Sequence, residues 1–70
     1  MDPIPADFAR ALSRHQLAGF FTECAYVHRT DYLRWIAESR RPSTRRRKIR
    51  EAIARLRAQR RELFRAVAAR

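Results

Sequence analysis

Apolar residues along this chain recur at the intervals of α-helices, and no segment alternates between apolar and polar positions as a strand would. Phe8 and Leu12, four residues apart, predict a short first helix that begins at Pro5 and ends near Arg14. A second short helix is predicted by an apolar stripe at helical intervals, which comprises Leu17, Phe20, Phe21 and Cys24. Two short helices are therefore expected at the start of the chain.

A longer third helix is predicted by a cluster of aromatic and aliphatic residues, Tyr32, Leu33, Trp35 and Ile36. Thr30 with Asp31 predicts its start, and His28 is an alternative start. Arg40 and Arg41 are expected in its last turn, because the negative end of a helix dipole favours cations.

A long fourth helix is predicted after the proline. Pro42 is expected to end the third helix, and Ser43 or Thr44 is expected to cap the fourth. The apolar stripe of this helix comprises Ile49, Ile53, Leu56, Leu63 and Val67. Beyond Leu56 the segment consists mostly of charged residues and alanine. We expect that part to project from the body, to fray, or to pair with another helix, including that of a second copy.

These elements predict an all-α fold, a small bundle of about four helices in which the last is long and basic. Residues 1–4 are predicted to form a flexible tail, and residues 5–61 are predicted to form a helical domain. Residues 62–70 are predicted to be a fraying or projecting helix end. The predicted core comprises Phe8, Leu12, Leu17, Phe20, Phe21, Tyr32, Trp35, Ile36, Ile49, Ile53 and Leu56.

Positive charge is concentrated in the second half of the chain. The formal net charge is +10, from 17 lysines and arginines and 7 acidic residues. Residues 1–39 carry four arginines and five acids, a net charge of −1, whereas residues 40–70 carry thirteen basic residues and two acids, a net charge of +11. Such a polycation favours an acidic protein surface, nucleic acid or an anionic membrane surface as its partner.

The densest basic run lies where the fourth helix is predicted to begin. A helix start is already positive, so this run predicts either an anion-binding surface or salt bridges to Asp31 or Glu38. First-turn N–H groups, together with the side chains of Arg40, Arg45 and Arg47, would bind phosphate or sulfate. The predicted binding residues are Arg40, Arg41, Ser43, Thr44, Arg45, Arg46, Arg47, Lys48 and Arg50.

The remaining chemically reactive residues form no catalytic or metal-binding pattern. His15 and His28 have no further ligand at the spacing of a zinc site, and Cys24 lies on an apolar stripe as a small core residue. We therefore expect a non-enzymatic protein with no metal and no cofactor. The chain shows no signal-peptide pattern and no apolar segment near the ~18 residues that span a bilayer. A cytoplasmic location is expected.

Four runs of this sequence are distinctive, namely Tyr32-Leu33-Arg34-Trp35-Ile36, Arg40-Arg41-Pro42-Ser43-Thr44-Arg45-Arg46-Arg47-Lys48-Ile49, Pro5-Ala6-Asp7-Phe8 and Phe20-Phe21. Together they closely resemble the C-terminal helical domain of the bacteriocin-protection, YdeI/OmpD-associated family. The resemblance covers roughly residues 5–61. The aromatic helix and the following Thr-Arg-x-Arg step are together fairly specific to the family.

The resemblance implies protection against bacteriocins or antimicrobial peptides and association with an outer-membrane porin. Three positions depart from the family pattern. Arg40 stands where lysine is common, Ser43 stands where an acid is common, and Val27 stands where a serine often precedes His28. The missing acid removes a natural partner for the arginines and makes this chain more basic than the pattern.

Overall fold

The computed structural model describes residues 4–68, which form four helices and, within that range, no strand. The helices are α1 (Ala6–Arg14), α2 (Ala18–Glu23), α3 (Tyr26–Ala37) and α4 (Pro42–Ala68). The predicted all-α class, with two short helices followed by two longer ones, is confirmed. Residues 1–3 of the predicted tail and residues 69–70 of the predicted helix end lie outside the described range.

The turn after α1 determines how the chain enters α2. Gln16 has a φ of 58°, in the left-handed region that L-residues rarely adopt. Its N–H donates to the Ser13 carbonyl at 3.1 Å, and the Leu17 N–H donates to the Leu12 carbonyl at 2.7 Å. These two bonds form a Schellman motif, which the buried side chains of Leu12 and Leu17 accompany. The turn thus brings the start of α2 onto the core.

Replacing Gln16 by glycine should stabilise the fold by about 0.5–1 kcal/mol, because glycine adopts positive φ without steric cost. Thermal unfolding followed by circular dichroism should show a midpoint several degrees higher. Gln16→Ala is the control and should give no gain, because alanine has the same steric conflict at this φ. An equal gain from both variants would mean that backbone strain at Gln16 is not the cause.

α3 begins earlier than predicted. Its first residue is Tyr26, after an extended Ala25 whose carbonyl accepts the N–H groups of His28 and Arg29 at 3.0 and 3.1 Å. The predicted starts at Thr30 and at His28 are therefore wrong. Thr30 lies within the helix and its hydroxyl donates to the Tyr26 carbonyl, a local bond that threonine makes inside helices as well as at their starts.

The link between α3 and α4 is also displaced from its predicted position. α3 ends at Ala37, so Arg40 and Arg41 lie in the link rather than in the last helical turn. The last turn is closed by the Ser39 N–H, which donates to the Ile36 carbonyl at 3.1 Å. The two arginines are therefore exposed beside the helix end instead of being part of it.

Pro42 is the first residue of α4 and does not belong to the end of α3. Its fixed φ suits the first helical position, where its missing N–H would have had no partner. The predicted capping role of Ser43 or Thr44 is therefore wrong, because both residues lie inside the first turn. The Arg45 N–H donates to the Arg41 carbonyl at 3.0 Å, which places the helix cap at Arg41.

The core lies between the first three helices and the N-terminal half of α4. Among the predicted core residues, Phe20, Tyr32 and Trp35 are only half-buried and pack at its edge. Ala52 is fully buried although it was not predicted, because alanine contributes little to a hydrophobic pattern. The buried residues are Phe8, Leu12, Leu17, Phe21, Ile36, Ile49, Ala52, Ile53 and Leu56.

The C-terminal part of α4 extends beyond the body of the protein. Projection was one of three outcomes expected for this segment, with fraying and pairing with another helix as the others. Leu63, Phe64 and Val67 are 57–74% exposed, although the first and last continue the stripe that is buried as far as Leu56. The Arg60 Nη1 donates to the Gln16 carbonyl at 2.8 Å, near the point where the helix leaves the body. A 27-residue helix is about 40 Å long, and its buried residues lie only between Ile49 and Leu56.

Candidate functional site

Arg45 in the first turn of α4 is paired with Asp7 in the first turn of α1. The Arg45 Nε lies 2.5 Å from Asp7 Oδ2, and Nη2 donates to Oδ1 at 3.1 Å, so the pair is bidentate. The hydrogen bonds from Arg45 lower the pKa of Asp7, although partial burial acts in the opposite direction. The carboxylate that neutralises this arginine is thus Asp7, and not Asp31 or Glu38, because α1 packs beside the start of α4.

Replacing Asp7 by asparagine should destabilise the fold at neutral pH by about 0.5–1.5 kcal/mol, since solvent screens a pair whose side chains are 28% and 36% exposed. The pKa of Asp7 is lower in the folded than in the unfolded state, so the contribution of the pair is complete above about pH 4 and is lost as the pH falls through the folded value.

Urea unfolding at neutral pH and in acid measures this effect as the difference in free energy of unfolding between wild type and Asp7→Asn. That difference should shrink in acid. Glu62→Gln is the control, because Glu62 meets Arg65 only at 3.8 Å with both side chains 73% exposed. A difference that stayed constant with pH would show that Asp7 stabilises the fold without its charge.

Trp35 is covered by two cationic side chains from α4. The Lys48 Nζ lies 5.3 Å from the centroid of the Trp35 ring, and the Arg55 Cζ lies 5.4 Å from it. Lys48 also donates to the Trp35 backbone carbonyl at 3.0 Å. The two cations therefore interact with the negative face of the indole, and Trp35 itself is half-buried at the margin of the core.

Lys48 and Arg45 together resolve the conflict that the sequence indicated at the start of α4. The Trp35 carbonyl accepts from Lys48, and the Ile36 carbonyl lies 3.5 Å from the Arg45 Nη1. Both carbonyls belong to the last turn of α3, the negative end of that helix dipole. Arg45 and Lys48 thus act within the fold, where they pair with Asp7 and with the end of α3.

The remaining predicted binding residues, apart from Thr44, are exposed on the surface. Thr44 is half-buried, and no hydrogen bond from its hydroxyl or from that of Ser43 occurs within residues 4–68. We define the arginine surface as the exposed side chains of Arg40, Arg41, Arg46, Arg47 and Arg50. Arg45 is turned towards Asp7, and so it does not join Arg40 and Arg47 around the first-turn N–H groups of α4.

A groove of about 490 Å³ runs between α1 and α4 and extends this basic region. Its floor is apolar and is formed by Ala11, Ile49, Ile53 and Ala54. Asp7 and His15 also line it. We define the groove arginines as those that line it from the two helices, Arg10, Arg14, Arg46, Arg50 and Arg57.

Three of the groove arginines, Arg10, Arg14 and Arg57, were not predicted as binding residues. The interval of four residues between Arg10 and Arg14 was a signal that both occupy one face of α1. The sequence does not show that this face lies opposite α4, because helix pairing depends on tertiary packing.

Burial at the edge of the core raises the pKa of the Cys24 thiol, and the thiol lies 3.4 Å from the Phe20 carbonyl, which is consistent with a packing role.

Residues 4–68 contain no candidate metal site and no candidate membrane-spanning helix. That part of the chain contains no group of three or more His, Cys, Asp or Glu residues placed to hold a metal ion. None of its helices combines the length and the apolar composition needed to cross a bilayer.

A model of the protein family described as bacteriocin-protection, YdeI or OmpD-associated matches residues 3–59. The chain belongs to this family. The resemblance indicated by the sequence is therefore confirmed, and the match includes the first three helices and α4 as far as Gln59. No curated protein and no solved structure matches the chain.

In this family member the matched range contains the whole arginine surface and both walls of the groove. It ends close to the point where α4 leaves the body. The family match therefore covers the packed part of the chain, and the projecting apolar residues Leu63, Phe64 and Val67 lie beyond it.

Proposed function

We propose that this family member is a non-enzymatic binding module that uses its arginine surface to bind an acidic protein in the context of bacteriocin or antimicrobial-peptide tolerance. One observation carries the proposal. The ion pairs within residues 4–68 are Arg45 with Asp7 and Arg65 with Glu62, so none of them includes a member of the arginine surface. That surface supplies five exposed guanidiniums for an external anion.

The high positive charge makes direct capture of the toxic peptide a poor mechanism. Many antimicrobial peptides are cationic, and a protein with a formal net charge of +10 repels them. An acidic partner is attracted by the same charge. We therefore infer that any protective effect is indirect and passes through an anionic partner of this protein.

Nucleic acid and anionic lipid head groups are the alternative partners, because the charge alone attracts both. Each has its own readout. Nucleic acid binding would appear as ultraviolet absorbance at about 260 nm that co-purifies and is removed by nuclease. Lipid binding would appear as flotation with vesicles that contain anionic lipid and not with neutral vesicles. The proposal is supported if this protein, used as bait in a pull-down from native lysate at moderate salt, still retains an acidic protein after nuclease treatment.

Binding to any polyanion should weaken strongly as salt rises. For duplex DNA, the logarithm of affinity against the logarithm of salt concentration should have a slope of about −0.9 per phosphate contacted. Different DNA sequences should bind alike, because phosphate contacts carry no base information. Fluorescence anisotropy with labelled DNA and labelled poly-glutamate, between low and physiological salt, measures both. Binding that did not change with salt would contradict a charge-based interaction.

The tolerance function can be tested with a variant in which all five residues of the arginine surface are replaced by glutamine. Glutamine keeps a long polar side chain and good helix propensity, so the fold should persist. Cells that make the wild-type protein should survive a bacteriocin better than cells that make this variant at the same level. Arg34→Gln, on the exposed side of α3, is the control. Equal survival in all three strains would contradict the proposal.

A further inference from the structure

The groove between α1 and α4 combines two kinds of surface. Its floor is apolar, and the groove arginines approach it from both sides. Arg10 and Arg14 come from α1, and the other three come from α4. A surface that binds charge alone would not need an apolar floor. The floor therefore indicates a ligand that has apolar groups as well as negative charge.

The groove has a large excess of positive charge. Five arginines and one carboxylate line it, which gives a formal charge of +4 with His15 neutral. The one carboxylate is Asp7, and it is already bound by Arg45 in a bidentate pair. No salt bridge within residues 4–68 includes a groove arginine. The occupant must therefore bring its own negative charge.

We propose that this groove binds an acidic amphipathic helix of a protein partner. The apolar stripe of such a helix would pack on the floor, and carboxylates on both sides of the stripe would meet the arginines of the two walls. The inference rests on the proposed function, and it specifies both the class of partner and the groove that binds it. A second copy of this chain does not fit, since it carries the same net charge of +10.

The dimensions of the groove set the length of the partner helix. Arg46 and Arg57 lie on the same continuous helix, eleven residues apart, which corresponds to about 16 Å along the axis. A partner helix that met both would need about three turns, with acidic residues spread along that length. A helix of this length can present apolar anchors at i, i+3, i+4 and i+7, the spacing by which amphipathic helices dock in grooves.

The probe is a synthetic peptide of about 18 residues made of leucine, glutamate and alanine, with leucine at helical intervals and glutamate on both flanks. A scrambled peptide of the same composition, with the leucines distributed around the helix, is the matched control. Isothermal titration at physiological salt limits the contribution of distant charges, because the screening length is then about 8 Å. The amphipathic peptide should bind about tenfold or more tightly than the scrambled one.

Two pairs of variants test the walls and the floor. Arg50→Glu should weaken binding of the amphipathic peptide about tenfold or more, whereas Arg34→Glu, with the same change of charge on α3, should have little effect. Ala54→Gln should weaken binding because it makes the exposed floor polar, and Ala54→Leu, of similar size, should preserve it. Thermal unfolding of each variant verifies that the fold is retained.

The results distinguish failure of the groove from failure of the proposed function. If the two peptides bound equally, or if Arg50→Glu and Arg34→Glu caused equal losses of affinity, the groove would not be the specific binding site. Binding would then be a nonspecific property of the arginine surface. Duplex DNA that binds more tightly than the peptide, with loss in Arg50→Glu and no response to Ala54→Gln, would make the groove a phosphate-binding site instead. Absence of binding to both peptides, DNA and anionic vesicles would overturn the proposed function as well.

Discussion

Phe21→Ala should unfold most of the protein at room temperature. Phe21 is fully buried, and its ring meets that of Phe8 edge-on with centroids 5.3 Å apart. Removal of a buried phenylalanine costs about 3–5 kcal/mol, which is comparable to the whole stability of a domain of this size. α2 is only six residues long, and Phe21 is its one fully buried residue, so the helix loses its main anchor in the core.

Urea unfolding followed by circular dichroism and by Trp35 fluorescence measures this effect. Phe64→Ala is the matched control, because Phe64 is 74% exposed on the projecting part of α4. Its free energy of unfolding should differ little from that of the wild type. If the two variants were equally stable, the position of α2 against α1 in this fold would be wrong.

Trp35→Ala should cost about 2–3 kcal/mol, less than a fully buried tryptophan, because Trp35 is half-buried at the edge of the core. The loss has two parts. The indole surface that packs on the core is removed, and Lys48 and Arg55 lose the ring that they cover at 5.3 and 5.4 Å. The free energy of unfolding in urea, measured by circular dichroism, gives the total.

Two comparisons separate these parts. Trp35→Phe keeps an aromatic face for the cations and should recover more than half of the loss. Lys48→Met keeps the packing of the long side chain but removes its charge and its hydrogen bond to the Trp35 carbonyl, so it should cost about 1 kcal/mol. A Trp35→Ala variant as stable as the wild type would mean that the ring does not contact the core.

The resolved conflict at the start of α4 explains how so basic a run can begin a helix. Arg45 and Lys48 are close to a positive helix end, which is unfavourable. They are also close to Asp7 and to the last carbonyls of α3, which offset that cost. The stabilising groups are thus supplied by two other helices, and Asp7 is 38 residues away along the chain. The arginine surface is what remains after these internal contacts are made.

The sequence by itself determined the number and order of the helices, most of the buried residues and the uneven charge. These properties are local, because a stripe at intervals of three and four residues indicates a buried helix face whatever the partner of that face. Helix limits were predicted less well. Thr30 can bond inside a helix as well as cap one, and Pro42 can follow a helix or begin one, so each carries two structural meanings.

Only the tertiary structure decided which charges meet. It placed Asp7 beside Arg45, set Lys48 and Arg55 over Trp35, and brought Arg10 and Arg14 to the same groove as three arginines of α4. The physical reason is that these contacts join residues far apart in the chain. Their existence depends on the angle and register at which α1 and α3 pack on α4, which no local pattern encodes.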